Sequence, residues 1–278
     1  MKTIFVLSIL VLAVVFIAAC GKSGTVQSVN YGGSTTVLPI MEGAIEQFQK
    51  LYPAVTVSYE APGSSAGIKG VAEGTYKLGG SSRKLKDSEK ESGIQATPIA
   101  LDGLAVIVGG NVPVADLTIE KVAKIFAGET KNWKEVGGPD IPIVVINRDE
   151  ASGTRGSFSE LVLQHVLGKD AKFVETAIIV ESNGDMTQKV GNTPNSIGYC
   201  GFGYIDAAKH AGAKEVSIAG MLPDIRNVYS DKYPLSRELY IVHKGDLPKD
   251  GVERDFVNFL LSKDGQKIVK DTGFIPLP

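Results

Sequence analysis

The stretch VNYGGSTTVLPIMEGAIEQFQKL at residues 29–51 holds a strand, a loop of small residues and a helix in direct succession. The strand is predicted by Val29-Asn30-Tyr31, which leads into the Gly-Ser-Thr-Thr loop at 33–36. Beyond the loop, apolar residues recur on one helical face, at Ile40, Met41, Ala44, Ile45, Phe48 and Leu51. A strand that passes through a short loop into an amphipathic helix is the unit from which α/β folds are built.

The same order of elements repeats outward along the chain. Alternating apolar residues at 55–59 predict a second strand, followed by a short helix that ends near Gly74. Further strands are predicted at 101–108, 141–146, 177–180, 196–199 and 239–242, and further helices at 118–128, 156–167 and 252–269. This rhythm predicts an α/β class with largely parallel sheets. No Ser- or Pro-rich linker divides the chain, so two domains would be joined by crossing strands rather than by a flexible tether.

The composition excludes several classes of protein. The 278 residues allow two domains, and 43% of them are hydrophobic, which is enough for a sizeable core. With 29 Lys and Arg against 31 Asp and Glu, the chain has no basic field that would suggest a nucleic acid partner. Two Cys and three His without ligand spacing favour neither a disulfide framework nor a metal centre. We therefore expect no metal and no cofactor.

The first twenty residues predict export. A short positive start is followed by an apolar run over 4–19, which is too short for a comfortable membrane span but suits a signal peptide. The run ends in Ala18-Ala19-Cys20-Gly21, which resembles a bacterial lipobox. We expect a signal peptide at 1–19, a lipidated Cys20 with a tether over 20–28, and anchoring to a bacterial membrane that faces the periplasm or the cell exterior. An ordinary signal peptide with a chance cysteine is the alternative. Cys200 is expected to be a buried free thiol.

Three loops share one design, in which small hydroxyl residues and glycine stand between a strand and a helix. They lie at 33–36, 63–67 and 152–156. Free N–H groups and the positive end of the helix dipole favour an anion at such a position, although Ser and Thr are also ordinary N-caps. Arg148 precedes the third loop and offers a planar fork of donors for an oxyanion, and Glu150 is expected to hold that fork through an ion pair.

These motifs resemble those of phosphate-binding lipoproteins of the periplasmic binding protein superfamily, the substrate receptors of the phosphate ABC transporter. The matching segments are GSTTVLP at 33–39, GSSAG at 63–67, GGSSR at 79–83, NRDEASGTR at 147–155, SIGY at 196–199 and GFIPL at 273–277. The resemblance covers nearly the whole exported chain, and the segment at 147–155 is the most specific part of it.

The resemblance implies a type II-like fold of two α/β lobes with two crossing strands as the hinge. Lobe 1 would comprise 26–105 and 229–278, and lobe 2 would comprise 106–228. Phosphate would bind between them to Thr35, Thr36, Ser64, Ser82, Arg148, Ser152, Gly153 and Thr154, with Ser34, Ser65, Arg83 and Asp102 as further candidates and Glu150 behind Arg148. The protein would be a monomer without enzymatic activity that delivers phosphate to an ABC permease.

One position departs from the family pattern. Many relatives carry an Asp where this chain has Ser82, and that Asp accepts the proton of bound phosphate and repels sulfate. Serine adds no charge, so the carboxylate is either absent or supplied elsewhere. Asp102, a charge inside an apolar strand, is the candidate, with an ion pair to a structural Lys or Arg as the alternative. Arg83 would reach either the ligand or only acidic neighbours.

The sequence is also compatible with three other functions. The ligand would be another oxyanion, such as sulfate or molybdate, if the missing carboxylate has changed the selectivity. The GSSAG segment also fits the nucleophile elbow of a serine hydrolase with Ser65 as the nucleophile. An adhesin or structural surface lipoprotein is the last alternative, and it would have no need of three anion-binding loops.

Overall fold

The computed structural model describes residues 27–230 and 232–278. The strands are β1 (Gln27–Gly33), β2 (Val55–Glu60), β3 (Gly79–Ser81), β4 (Ile94–Gly109), β5 (Asp116–Leu117), β6 (Val144–Arg148), β7 (Ile178–Val180), β8 (Ser196–Gly201), β9 (Ala213–Ile218) and β10 (Ser236–Lys244). The predicted signal peptide and Cys20 lie outside the described residues.

Eleven α-helical segments connect or cover these strands within the described ranges. They are α1 (Leu38–Leu51), α2 (Ser64–Glu73), α3 (Asp87–Glu91), α4 (Ile119–Ala127), α5 (Gly153–Phe158), α6 (His165–Leu167), α7 (Asn183–Asn192), α8 (Ile205–His210), α9 (Ile225–Tyr229), α10 (Val252–Leu261) and α11 (Lys263–Asp271). A π-helical segment, Ser159–Gln164, joins α5 to α6, and two 3₁₀ turns lie at Trp133–Val136 and Phe202–Tyr204. None of the helices described is long and apolar enough to cross a membrane.

The strands pair in the order β2-β1-β3-β10-β4-β8-β6-β7, and β9 pairs with β4 and β5. The pairs β1–β2, β1–β3, β5–β9, β6–β7 and β6–β8 are parallel. The central strands β10 and β4 are antiparallel to each other, and β4 is also antiparallel to β8 and β9. The expectation of largely parallel sheets was therefore wrong at the centre, where long strands run in opposite directions.

Two large hydrophobic cores lie on either side of this central pair, and a third, smaller cluster packs α2 against β4 and β10. The first core, built around Tyr31, Phe48 and Phe256, packs α1, α10 and α11 against β1, β2, β4 and β10. The second core, built around Phe126 and Phe158, packs α4, α5 and α7 against β6 and β8. Strand β4 contributes to both, so the chain crosses from one core to the other there, and it returns through the first residues of β10. The α/β architecture with two crossing strands is the one that the sequence predicted.

Local sequence explains how α1 and α2 begin. Pro39 stands in the first turn of α1, where its missing N–H costs nothing. Gly63 precedes α2 at φ +102, and a Cβ at that position would stand 2.8 Å from the Ala151 carbonyl oxygen. Only glycine adopts that conformation without strain and leaves room for the backbone of the second lobe. Both helices thus start at the face where the two lobes meet.

Several predicted boundaries differ from the structure. The expected tether over 20–28 is too long, because Gln27 and Ser28 already pair with β2. The helix expected over 252–269 is two helices, because Ser262 ends α10 and caps α11 through its side chain. Cys200 is a buried free thiol as predicted, and burial raises its pKa to about 12.

Candidate functional site

Arg148, at the end of β6, is the charged centre of the site and is 1% exposed. Its Nη2 donates to the Glu181 carbonyl oxygen at 2.7 Å and to Thr35 Oγ1 at 3.3 Å. Its Nε and Nη1 are buried and have no hydrogen-bond partner among the described residues. Burial lowers the pKa of this guanidinium, yet arginine stays charged in proteins. A buried cation with two unpaired hydrogen-bond donors is suited to binding an anion.

Threonine hydroxyls from both lobes meet next to Arg148. Thr35 and Thr36 follow β1 in the first lobe, and Thr36 Oγ1 lies 2.8 Å from Thr154 Oγ1 of the second lobe. Asn183 Nδ2, at the start of α7, donates to Thr35 Oγ1 at 3.0 Å and to Thr36 Oγ1 at 2.9 Å. All four side chains are buried. The cleft is therefore lined with hydroxyl and amide donors rather than with carboxylates.

Three serine hydroxyls of the first lobe form the opposite wall. Ser34 Oγ donates to Ser82 Oγ at 2.9 Å, and Ser64 Oγ lies 3.3 Å from Ser82 Oγ. The backbone N–H of Ser82 donates to Ser64 Oγ at 3.1 Å. A Cβ on Gly153 would stand 2.2 Å from Ser64 Oγ and 2.7 Å from Ser82 Oγ, so only glycine permits this approach of the lobes. The serine wall and the loop before α5 thus face each other directly.

The loop from Ser152 to Thr154 supplies backbone donors to the same place. Ser152 is the N-cap of α5, and its Oγ accepts from the N–H of Arg155 at 3.1 Å. Gly153 and Thr154 are the first two residues of α5, where the N–H groups have no carbonyl partner within the helix. These N–H groups add to the donors that converge on the cleft.

A buried ion pair lies behind the threonines. Arg237 Nη2 is 2.7 Å from Asp102 Oδ2, and the N–H of Phe202 donates to Asp102 Oδ1 at 2.9 Å. Arg237 also donates to the Ser82 carbonyl oxygen at 3.0 Å and to Thr36 Oγ1 at 3.4 Å. Burial raises the pKa of Asp102, and the charge of Arg237 opposes that rise. Both carboxylate oxygens of Asp102 are thus engaged within the protein, as the ion-pair alternative predicted.

A family model described as a PBP superfamily domain matches residues 18–264. The chain belongs to the PBP superfamily. The phosphate-binding protein PstS of Borreliella burgdorferi is 37% identical over 277 residues, which is 99% of each chain. The phosphate-binding protein PstS of Pseudomonas aeruginosa PAO1 is 34% identical and is matched over 85% of its length by 94% of this chain.

A solved structure of a PBP-type protein supports the same assignment. A Clostridium perfringens protein, described as a phosphate ABC transporter substrate-binding protein with bound phosphate, has a TM-score of 0.83 and 37% identity. The match covers 91% of this chain and all of that one. The predicted family and the two-lobed fold class are therefore confirmed.

Within this PBP fold, most of the predicted site residues lie together. The residues that the structure gathers at the cleft are Ser34, Thr35, Thr36, Ser64, Ser82, Arg148, Ser152, Gly153 and Thr154. Arg83 points away from them, because its guanidinium pairs with both carboxylate oxygens of Glu89, at 2.8 and 2.7 Å. Ser65 Oγ accepts from that same guanidinium at 3.2 Å. Arg83 thus reaches an acidic neighbour, which was the alternative to ligand contact.

The role expected of Glu150 was wrong. Its side chain is 92% exposed and lies 3.8 Å from Arg155, not beside Arg148. The acidic group near Arg148 is Asp149, at 3.7 Å. The reason is that the chain turns at 150–151, where Glu150 is the exposed residue between half-buried Asp149 and Ala151.

Sequence reasoning missed Asn183 and Arg237. Asn183 follows the strand β7 and the N-cap Ser182, so it repeats the strand, polar loop and helix design of the other three loops. That signal was available in the sequence. Arg237 had no comparable signal, because its place beside Thr36 depends on the return of the chain into β10.

Proposed function

We propose that this protein captures inorganic phosphate in the cleft between its two lobes and delivers it to an ABC permease. The observation that carries the proposal is Arg148, whose buried Nε and Nη1 have no partner in the described chain. The hydroxyls of Thr35 and Thr154 and the start of α5 surround this fork. A tetrahedral oxyanion accepts hydrogen bonds in all directions, as this shell of donors requires. The names of the relatives support phosphate as that anion.

The hydrophobic cores support a division into lobes close to the one expected, 26–105 with 229–278 and 106–228. Leu104 belongs to the second core and Ala100 to the first, so the outward crossing falls between them. On the return, Leu235 still packs in the second core and Leu239 in the first. We therefore place the second crossing at about 236, a few residues later than the sequence suggested.

Ligand contacts to both lobes would close the cleft. Thr154 and Arg148 belong to the second lobe, whereas Thr35 and Ser64 belong to the first. An anion that touches both sets binds the closed form more tightly than the open one, and so shifts the population toward closure. The closed form is then the one that docks on the permease.

Among the described residues that surround the Arg148 fork, no free carboxylate is found, which bears on selectivity. Both oxygens of Asp102 are occupied by Phe202 and Arg237, so Asp102 does not take the place of the family's Asp. Ser82 Oγ is the group at that position, and a hydroxyl oxygen can accept a hydrogen bond from the P–OH of bound phosphate. Because it adds no charge to repel a fully ionised anion, sulfate is the second candidate ligand.

We further propose that the chain is an extracytoplasmic lipoprotein, with a signal peptide at 1–19 and lipid on Cys20. The apolar run and the Ala-Ala-Cys-Gly sequence support this proposal. Two or more acyl chains on one cysteine would suffice for stable anchoring. The soluble lobes would act as a monomer without catalysis. The hydrolase alternative loses support, because Ser65 Oγ bonds to Arg83 while His243 bonds to Thr97 and Gly245.

Calorimetric titration of residues 21–278, stripped of ligand, tests the function directly. Phosphate should bind tightly with one site per chain. Sulfate titrated under the same conditions should bind more weakly. Equal binding of both anions would move the assignment to oxyanions in general, and binding of neither would refute the proposal.

A further inference from the structure

We propose that Asn183 is a positioning residue that directs the hydroxyl hydrogens of Thr35 and Thr154 toward the bound anion. This inference rests on the proposed function, since it concerns the same cleft. Asn183 is fully buried, and its amide touches both threonines of the β1 loop. Each threonine hydroxyl has one hydrogen to donate and two lone pairs with which to accept.

The orientation of the Asn183 amide follows from its neighbours. The N–H of Gly201 points at Oδ1 at 3.3 Å, and an N–H needs an acceptor. The oxygen of the amide must therefore face Gly201, and Nδ2 must face the threonines. Each of the two Nδ2 hydrogens then has its own acceptor, at Thr35 Oγ1 and Thr36 Oγ1. One amide thereby occupies a lone pair on both hydroxyls.

Thr35 is left with only its hydrogen to offer. Its Oγ1 accepts from Asn183 Nδ2 at 3.0 Å and from Arg148 Nη2 at 3.3 Å. With both lone pairs engaged, this oxygen cannot accept from a third group. Its hydrogen is then directed to an acceptor beside the Arg148 fork, where the anion is proposed to bind.

The Asn183 amide also fixes the direction of the Thr154 hydroxyl hydrogen, because it first fixes that of Thr36. Thr36 Oγ1 accepts from Asn183 Nδ2 at 2.9 Å and, more weakly, from Arg237 Nη2 at 3.4 Å. Its hydrogen must therefore point at Thr154 Oγ1, 2.8 Å away. Thr154 becomes the acceptor of that bond and keeps its own hydrogen for the ligand. Asn183 thus sets two donors, one in each lobe, before the anion arrives.

Loss of Asn183 would leave these hydroxyls free to rotate and to present lone pairs to an anion. We expect Asn183→Ala to weaken phosphate binding about tenfold, because preorganised donors would have to be reoriented on binding. If Asn183 only stabilised α7, its loss would weaken phosphate binding equally with and without the threonine hydroxyls. A double-mutant cycle distinguishes these two cases.

The cycle combines Asn183→Ala with Thr35→Val and Thr36→Val, which remove the two hydroxyls and keep the branched shape. In the double-valine background, Asn183→Ala should change the phosphate dissociation constant less than twofold. Asn192→Ala, at the exposed far end of the same helix, is the matched control and should leave affinity unchanged. Asn183→Leu, which keeps the side-chain volume, repeats the cycle if the alanine variant does not fold.

The outcomes separate this inference from the proposed function. A tenfold loss that persists in the double-valine background, or no loss in the wild-type background, would overturn the role of Asn183 while phosphate binding by the unmodified protein stands. If the unmodified protein binds no phosphate, that result refutes both the proposed function and this inference.

Discussion

Arg148 combines near-complete burial with a guanidinium that is only partly satisfied. Within the described chain, its Nη2 is bonded to Glu181 and Thr35, whereas Nε and Nη1 have no partner. An uncompensated buried charge is costly, so its retention points to a ligand that completes the set. The other charged group that contacts the cleft threonines, Arg237, is neutralised by its ion pair with Asp102, so Arg148 is the cation that keeps free donors for a ligand.

Replacement of Arg148 by Met should therefore abolish tight phosphate binding. The lost charge-assisted hydrogen bonds are worth roughly 1.5–3 kcal/mol each, so two of them correspond to a loss of at least a hundredfold in affinity. Calorimetry measures the effect. Arg155→Met is the matched control, because Arg155 stacks on Phe173 outside the cleft and should leave affinity within about twofold. Unchanged affinity in Arg148→Met would remove the arginine from the site.

Ser82 is the residue at which selectivity should be adjustable. Ser82→Asp would place a carboxylate among Ser34 and Ser64, where it accepts a hydrogen bond from the P–OH of phosphate and repels sulfate, which has no such hydrogen. We expect the ratio of phosphate to sulfate affinity to rise at least tenfold at pH 8. Competition titrations of both anions on the two proteins measure that ratio. A ratio that does not change would mean that position 82 does not contact the ligand.

At the scale of elements, four strand–loop–helix units bring their polar loops to one place. The loops before α1, α2, α5 and α7 each end in a helix N-terminus at the cleft, and each carries Ser, Thr or Asn there.

The short helix α3 lies at the edge of this group, and the ion pair between Glu89 of α3 and Arg83 holds it there. Burial raises the pKa of Glu89, but its hydrogen bonds to Arg83 and Lys86 more than offset that rise, and the net direction is downward.

Glu89→Gln should therefore destabilise the fold above the carboxyl's unfolded-state pKa. A glutamate whose folded pKa is depressed contributes stability at neutral pH, and this contribution is lost as the pH falls through its folded value. We expect the free energy of unfolding to fall by about 1–2 kcal/mol at pH 7, discounted for the partial exposure of the pair. Denaturant unfolding at pH 7 and in acid measures the difference, which should shrink in acid.

An exposed pair on the same helix serves as the control for Glu89. Asp87 contacts Lys90 at 3.0 Å with its side chain 90% exposed. Asp87→Asn should change the free energy of unfolding by less than about 1 kcal/mol. Equal effects of the two variants would show that burial of the Arg83–Glu89 pair has no special role.

At the scale of the whole molecule, the two lobes are in direct contact across the cleft. The N–H of Ser65 donates to the Ala151 carbonyl oxygen at 3.0 Å, and Ser157 Oγ donates to the Ser82 carbonyl oxygen at 2.9 Å. These bonds join different lobes, as does the bond between Thr36 and Thr154. The structure thus presents a closed cleft, and closure depends on the small size of the residues at its surface.

Gly153→Ala should prevent closure without unfolding either lobe. The added Cβ would meet Ser64 Oγ at 2.2 Å, a contact that forces the lobes apart. We expect phosphate affinity to fall at least tenfold and the phosphate-induced decrease in radius of gyration to disappear from small-angle scattering. Gly184→Ala, whose Cβ would lie 3.6 Å from Ser182 Oγ, is the control and should close normally. Normal closure of Gly153→Ala would contradict the proposed contact.

The sequence by itself determined the α/β class, most of the helices and most residues of the candidate site. These depend on local properties, namely the apolar period of each element and the hydroxyl and glycine residues before a helix. The prediction that failed for Glu150 also used only local information, because proximity in sequence to Arg148 did not settle which side chain faces it. The resemblance of the motifs then identified the family.

Only the tertiary structure decided the direction of the central strands, the partner of Asp102 and the positions of Asn183 and Arg237. Asp102 and Arg237 are 135 residues apart in the chain and meet because β4 and β10 are neighbours in the sheet. Asn183 reaches Thr36 only when the second lobe is folded against the first. Such contacts join segments whose local sequences do not indicate that they will meet, since packing of the whole chain brings them together.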